Sequence, residues 1–235
     1  MSYIQGFVLA VPSANKQAYV EHATKAVPIF REFGMTRMVE TWGDDVPVGK
    51  VNDFRTAVQA DEDETVVFSW CEWPSAELYK SGMQRMMEDP RMAEMGEMPF
   101  DGKRMIFAGF QPEMDDGPGG ATGYVDGFLI PVAPDRKDAY FTMARGIAPK
   151  FQQYGATRIV EAWGDDVPTG QVTDFFRAVH ATDGENVVFS WIEWPDKAVR
   201  DAGMEKIREG MDAPADIPFD GQRMIFGGFA PILDQ

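Results

Sequence analysis

The sequence predicts an α+β protein built from two copies of one unit, each running strand, helix, strands, helix, strand. Three observations predict it. The segment Val66-Val67-Phe68-Ser69-Trp70-Cys71-Glu72-Trp73-Pro74 returns as Val187-Val188-Phe189-Ser190-Trp191-Ile192-Glu193-Trp194-Pro195, so the chain of 235 residues holds a tandem repeat. The same spacing of 121 residues pairs Tyr3 with Tyr124, Gly34 with Gly155, Trp42 with Trp163 and Gly82 with Gly203. Within each copy, short β-branched and aromatic runs alternate with stretches whose apolar residues recur at helical spacing.

Taken in order, Tyr3 to Val11 is apolar, ends at Pro12 and predicts a first strand. From Ser13 onward, Tyr19, Ala23, Ala26, Phe30 and Phe33 form one helical stripe that Gly34 stops; Tyr140, Ala144, Ile147, Phe151 and Gly155 repeat it. Pro28 and Pro149 fall inside these helices, where a kink or a fresh start is expected. Met35 to Trp42 predicts a second strand, Gly43 to Gly49 a turn, Phe54 to Ala60 a further run, and Asp61-Glu62-Asp63-Glu64 a solvated turn. The repeated Val66 to Pro74 segment is too short for an ordinary helix and predicts a strand buried on both faces. Ser75 and Asp196 stand as N-caps of a second helix, and Lys103 to Phe110 closes the copy as a last strand. The methionine-rich run to Met98 is thinner in the second copy and is expected to pack in a core or interface. The expected domains are residues 1–116 and 124–235, with 117–123 a flexible Gly-rich linker; no Gly-Lys-Ser/Thr follows its glycines, so it is not a phosphate loop.

Composition excludes several functions. Acidic residues outnumber basic ones 38 to 22, a net charge of −16 that repels a phosphate backbone, so no nucleic-acid partner is expected. Met1-Ser2-Tyr3-Ile4-Gln5 lacks a basic region followed by an apolar one, and no stretch is apolar enough for a bilayer span, so a cytoplasmic protein without a membrane partner is expected. Cys71 is the single cysteine and its counterpart is Ile192, which leaves no disulfide or cysteine metal site. His22 and His180 do not occupy matching positions, so no shared histidine metal or haem site is expected, and no cofactor.

The element order is that of a ferredoxin-like α+β unit. Trp42-Gly43-Asp44-Asp45-Val46-Pro47, Ser69-Trp70-Cys71-Glu72-Trp73-Pro74, Met98-Pro99-Phe100-Asp101-Gly102 and Arg104-Met105-Ile106-Phe107 resemble the DUF1428 family of small bacterial proteins, over nearly the whole chain and twice over. The resemblance implies two ferredoxin-like sheets facing one another as in dimeric α/β-barrel proteins, with the dimer built into one polypeptide. It carries no catalytic residue. An isolated sheet would also expose a face of large aromatic residues, which on its own predicts an internal pseudo-dimer, with a further homodimer left open.

Strand alternation places Val66, Phe68, Trp70 and Glu72 on one face, expected to look into the space between the sheets. Ile4, Gly6, Val8 and Ala10 are small and expected under the helices, leaving Tyr3, Gln5, Phe7 and Leu9 for the barrel side. On these assignments Glu40, Trp42, Trp70, Glu72 and Arg104 line one cavity, with Glu161, Trp163, Trp191, Glu193 and Arg223 lining its mirror, as in a small-molecule pocket. Two readings of Glu72 stay open: an ion pair with Arg104 that serves the fold, or a functional acid. The function expected is binding of a small molecule between the sheets, with metal-independent enzymatic chemistry, a structural or protein-interaction module and, further off, RNA association as alternatives.

Overall fold

The computed structural model describes residues 2–119, 122–182, 184–210 and 217–235. Gly120 and Ala121 of the expected linker lie outside them. The first half contains β1 (Tyr3–Pro12), α1 (Lys16–Glu32), β2 (Arg37–Asp45), α2 (Phe54–Ala57), β3 (Glu64–Trp73), α3 (Ala76–Glu88), α4 (Pro90–Glu94) and β4 (Ile106–Asp116). The second contains β5 (Tyr124–Val132), α5 (Lys137–Gln153), β6 (Arg158–Asp166), α6 (Phe175–Ala178), β7 (Asn186–Trp194), α7 (Lys197–Gly210) and β8 (Ile225–Asp234).

All neighbouring strands are antiparallel and close into one barrel in the order β1-β3-β2-β8-β5-β7-β6-β4. The halves therefore meet edge to edge, β2 with β8 and β4 with β6. Both joints carry register shifts, near Glu40/Thr41 and Gly43/Asp45 in one and near Gly109/Phe110 and Pro112/Met114 in the other. Such bulges bend and twist strands and help a sheet close on itself. Closure also removes the free edges through which an open sheet pairs with other chains.

The caps follow local chemistry. Ser75 Oγ accepts from the Leu78 amide at 3.3 Å and Asp196 Oδ1 from the Val199 amide at 2.8 Å, starting α3 and α7. Gly34 and Gly155 follow α1 and α5 at φ +111° and +108°, a region that favours glycine. Two expectations need correction. Helices α1 and α5 continue through Pro28 and Pro149 without a fresh start. The run from Phe54 is a single helical turn, because Asp53 caps it in a capping box, with its side chain on the Thr56 amide and the Thr56 hydroxyl on the Asp53 amide.

The interior of the barrel is filled in layers. Phe54 and Phe175, carried on α2 and α6, plug one end. Next, Phe68 and Phe189 stack at 4.5 Å, then Trp70 and Trp191 at 4.5 Å. All of these rings are buried. Val66, Phe68, Trp70 and Glu72 thus face inward, but the assignment for β1 is reversed. Ile4, Val8 and Ala10 belong to the barrel core, while Phe7 and Leu9 pack under the helices. Size explains it: a Cβ on Gly6 would lie 2.8 Å from the Phe189 ring, so small residues on β1 admit the large aromatics of β3 and β7.

Candidate functional site

The ten residues expected to line one cavity and its mirror are dispersed over four places. Trp70 and Trp191 are core, and the space between the sheets that was expected to hold a ligand is occupied by their stack and that of Phe68 and Phe189. Glu72 and Glu193 lie beyond them at the barrel mouth. Arg104 is on neither: its guanidinium holds Glu64 at 2.7 Å at the start of β3, and Arg223 holds Glu185 at 2.6 Å in the same way. Glu40, Trp42, Glu161 and Trp163 point outward, toward the helices, because Val39, Val160 and Ala162 take the inward positions of their strands. The ammonium groups of Lys16 and Lys137 sit 5.0 Å from the Trp42 and Trp163 rings.

At the barrel mouth the true partners of the inward glutamates are Arg37 and Arg158, which share a position in the repeat. Arg158 reaches Glu72 at 2.6 Å and Glu193 at 3.4 Å; Arg37 reaches Glu72 at 3.2 Å and Glu193 at 3.1 Å. Each arginine also holds a carboxylate at the end of a neighbouring strand, Asp115 for Arg158 at 2.8 Å and Asp234 for Arg37 at 2.9 Å. Trp191 Nε1 donates to Glu193 at 3.1 Å, and Thr122 and Arg37 Nη2 complete its shell. Every charge in this cluster has an opposite partner, and each ion pair ties one half to the other or braces a strand end. The same halves are joined further round by Tyr124 and Lys197 on Asp44, both at 2.9 Å, and by Tyr3 on Asp165 at 2.9 Å. Through these ion pairs Glu72 and Glu193 brace the barrel mouth.

Chemistry of another kind sits on the outside of the sheet. Beneath α1 lies a cleft of about 200 Å3, and beneath α5 one of about 160 Å3. In the first, β1 supplies Phe7 and Leu9, α1 supplies Tyr19, His22, Ala23, Ala26 and Phe30, and β2 supplies Met38 and Glu40. Ser69 and Cys71 come from β3, and Met92, Met95, Met98, Phe100 and Met105 close the side. Tyr19 donates its hydroxyl to Glu40 at 2.6 Å, and Tyr140 donates to Glu161 at 2.7 Å. Burial raises both carboxyl groups to about 7, against the opposing hydrogen bonds from Tyr19 and Ser69 in one cleft and Tyr140 and Ser190 in the other. Among the described residues no lysine or arginine lines either cleft. A carboxyl group raised to about 7 by burial exchanges its proton near neutral pH.

The remaining features of the first cleft are subordinate. Cys71 is fully buried and burial, followed by the charges of Glu40 and Glu72, raises its thiol well above the ordinary value, so it is an inert wall residue. Burial, and next the charge of Lys25, lowers His22. The methionines read from the sequence as packing do pack, but they also wall the cleft. Sequence reasoning missed Tyr19, Tyr140, Ser69 and Ser190 as site residues and Arg37 and Arg158 as the partners of Glu72 and Glu193. The signal that could have found all six is their recurrence at the repeat spacing.

Among the described residues no group of three or more His, Cys, Asp or Glu side chains is arranged to hold a metal, and no helix is long and apolar enough to cross a membrane.

The chain is similar to known proteins in two ways. The uncharacterised protein YbaA of Escherichia coli K12 is 59% identical over 117 residues, covering 49% of this chain and 100% of the relative; YbaA of Shigella flexneri matches equally. In fold, the chain is similar over its whole length to an anthrone oxidase-like protein, with a TM-score of 0.58, 12% identity and 92% of that chain covered. It is likewise similar to a Fusobacterium nucleatum protein titled "Putative monooxygenase", with a TM-score of 0.57, 9% identity and 94% of that chain covered. At these identities the likeness is one of fold. The family model described as "Protein of unknown function (DUF1428)" matches residues 2–102 and again 123–221, and the chain belongs to that family, in tandem.

Proposed function

We propose that this protein binds small apolar molecules in its two outer clefts and moves a proton to or from them through Glu40 and Glu161. The observation that carries this reading is a carboxyl group withdrawn from water and raised to about 7, on the floor of an apolar cleft with no lysine or arginine among its described lining residues, built twice by the same residue positions. Enzymes that use a carboxyl group as acid or base tune it upward in this manner. A ligand group poised against Glu40 would lose its proton to the carboxylate and keep the electron pair, and the reverse step would return it. The hydroxyls of Tyr19 and Ser69 hold the carboxylate in one orientation while its proton comes and goes. The sequence reading of a ligand between the sheets gives way to two ligands outside them.

Part of the same proposal is that the halves, residues 1–116 and 124–235 joined by 117–123, are two ferredoxin-like domains forming an internal pseudo-dimer. The strand order 4-1-3-2 within each half and the one-copy length of YbaA support it. A cytoplasmic location fits a chain whose one cysteine is free and buried.

Xenon enters apolar cavities without needing a polar contact, so crystals of the protein pressurised with xenon test where the free volume lies. The expected result is one xenon site beneath α1 and one beneath α5. Xenon between Trp70 and Phe68, or none in either cleft, would overturn the assignment.

A further inference from the structure

We propose that the ligands of the two clefts are neutral molecules carrying one weakly acidic O–H group, a phenol or an enol, on a compact flat apolar frame; this deepens, and rests on, the reading of the clefts as ligand sites. The argument starts from what the clefts lack. With no lysine or arginine among the described lining residues, a carboxylate or phosphate ligand would bring a second negative charge against Glu40 with no permanent cation to offset it. An ammonium ligand would have to leave water for a pair whose mutual attraction only partly repays the desolvation of both ions. A neutral O–H donor carries neither penalty.

The protein itself shows that these carboxylates accept phenolic hydroxyls. Tyr19 and Tyr140 are phenols, and they meet Glu40 and Glu161 at 2.6 and 2.7 Å, the length of a charge-assisted O–H···O bond. A carboxylate has about four lone-pair sites, and Tyr19 takes one of them in the first cleft, with Ser69 beside it in the wall. A further donor therefore has a place to bind. The walls select the frame. Phe7, Phe30 and Phe100 give ring faces and edges, and Met38, Met92 and Met95 give thioethers, which pack well on aromatic rings. An apolar cavity of about 150 Å3 holds benzene, so clefts of about 200 and 160 Å3 suit one ring with small substituents.

The titratable groups around Glu40 are Tyr19 and His22 from α1 and Cys71 from β3; around Glu161 it is Tyr140 from α5. Tyr19, Tyr140 and Cys71 are all raised by burial, and His22 is lowered, so the glutamates are the groups that change charge as the solution passes neutrality. The carboxylate form is the better acceptor of a ligand O–H.

The test is an NMR-detected titration of the full chain with 4-methylphenol, 1,4-dimethylbenzene and 4-methylbenzoate at pH 6 and pH 8. A hydrogen bond to a charged group predicts 4-methylphenol binding at both clefts roughly tenfold more tightly than its methyl isostere at pH 8. That advantage should shrink at pH 6, and Glu40→Gln should abolish it in the first cleft alone. 4-Methylbenzoate should not bind. Equal binding of 4-methylphenol and 1,4-dimethylbenzene, or tighter binding of 4-methylbenzoate, overturns the ligand class while leaving the clefts as ligand sites. If none of the three binds, the ligand-site reading itself falls. Should Glu40→Gln fail to fold, the comparison of pH 6 with pH 8 in the unmodified chain decides the same question.

Discussion

Glu72 and Glu40 stand on adjacent strands of one sheet, both largely withdrawn from water, and their counterparts Glu193 and Glu161 repeat the arrangement. Yet they face opposite ways. Glu72 and Glu193 look along the barrel axis into two guanidinium groups, whereas Glu40 and Glu161 look outward into apolar clefts and meet only hydroxyls. A carboxylate ringed by arginines acts as a rivet through its ion pairs, whereas one met by hydroxyls and raised to about 7 can exchange its proton. The difference teaches that burial alone does not mark a functional acid. What the buried group is bonded to decides its role.

The largest expected effect comes from cutting the barrel. Residues 1–116 expressed alone keep their own outer cleft but lose Arg158 and Glu193, and the edges of β2 and β4 lose their partners. This half-chain should run as a dimer in light scattering, with Arg37 and Glu72 of two copies rebuilding the mouth. A stable folded monomer would break the comparison, because the inner glutamate would then need no second half.

A smaller effect separates the two pairs of glutamates directly. Removing the charge of Glu193, which is 0% exposed, takes one carboxylate from each of Arg37 and Arg158 and leaves them Glu72, Asp234 and Asp115, so Glu193→Gln should cost about 2 kcal/mol in a denaturant melt. Glu72→Gln should cost somewhat less, since its side chain is 13% exposed. If Glu40→Gln proved the more damaging, the roles assigned to the pairs would have to be exchanged.

The dependence of stability on pH sharpens the contrast further. Glu40 and Glu161 rise from the ordinary 4.5 to about 7 on folding, so the folded state holds their protons more tightly than the unfolded one. The stability they contribute is fully present below pH 4.5 and is lost as pH rises through 7, by roughly 3 kcal/mol at each site. Glu40→Gln removes one of these losses. Its thermal melts should approach and then exceed those of the unmodified chain between pH 5 and pH 8, and parallel melts would contradict the assignment.

Much of the fold was legible in the sequence, because repetition let each element be read twice. The strands, the N-caps Ser75 and Asp196, and the glycine stops of α1 and α5 all follow from local chemistry. What failed was the choice of face. In β1 and β2 both faces are covered by protein, so alternation separates two sets of residues without saying which is inside. Gly6 was read as making room for a helix, whereas it makes room for Phe189 across the barrel. The same ambiguity placed Glu40 beside Glu72. Arg37 and Arg158 could not be found from one copy's pattern, since their bonds cross between halves. Tyr19 was legible as part of an apolar stripe, but its hydroxyl has meaning only once Glu40 is known to lie beneath it.

The most direct test of the central claim is a titration of the side-chain carboxyl carbons by 13C NMR in glutamate-labelled protein. Two resonances should titrate with midpoints near pH 7, one disappearing in Glu40→Gln and the other in Glu161→Gln. If neither Glu40 nor Glu161 titrates above about pH 5.5, close to the unperturbed range for glutamate, their carboxyl groups are not poised for proton exchange and the functional account fails.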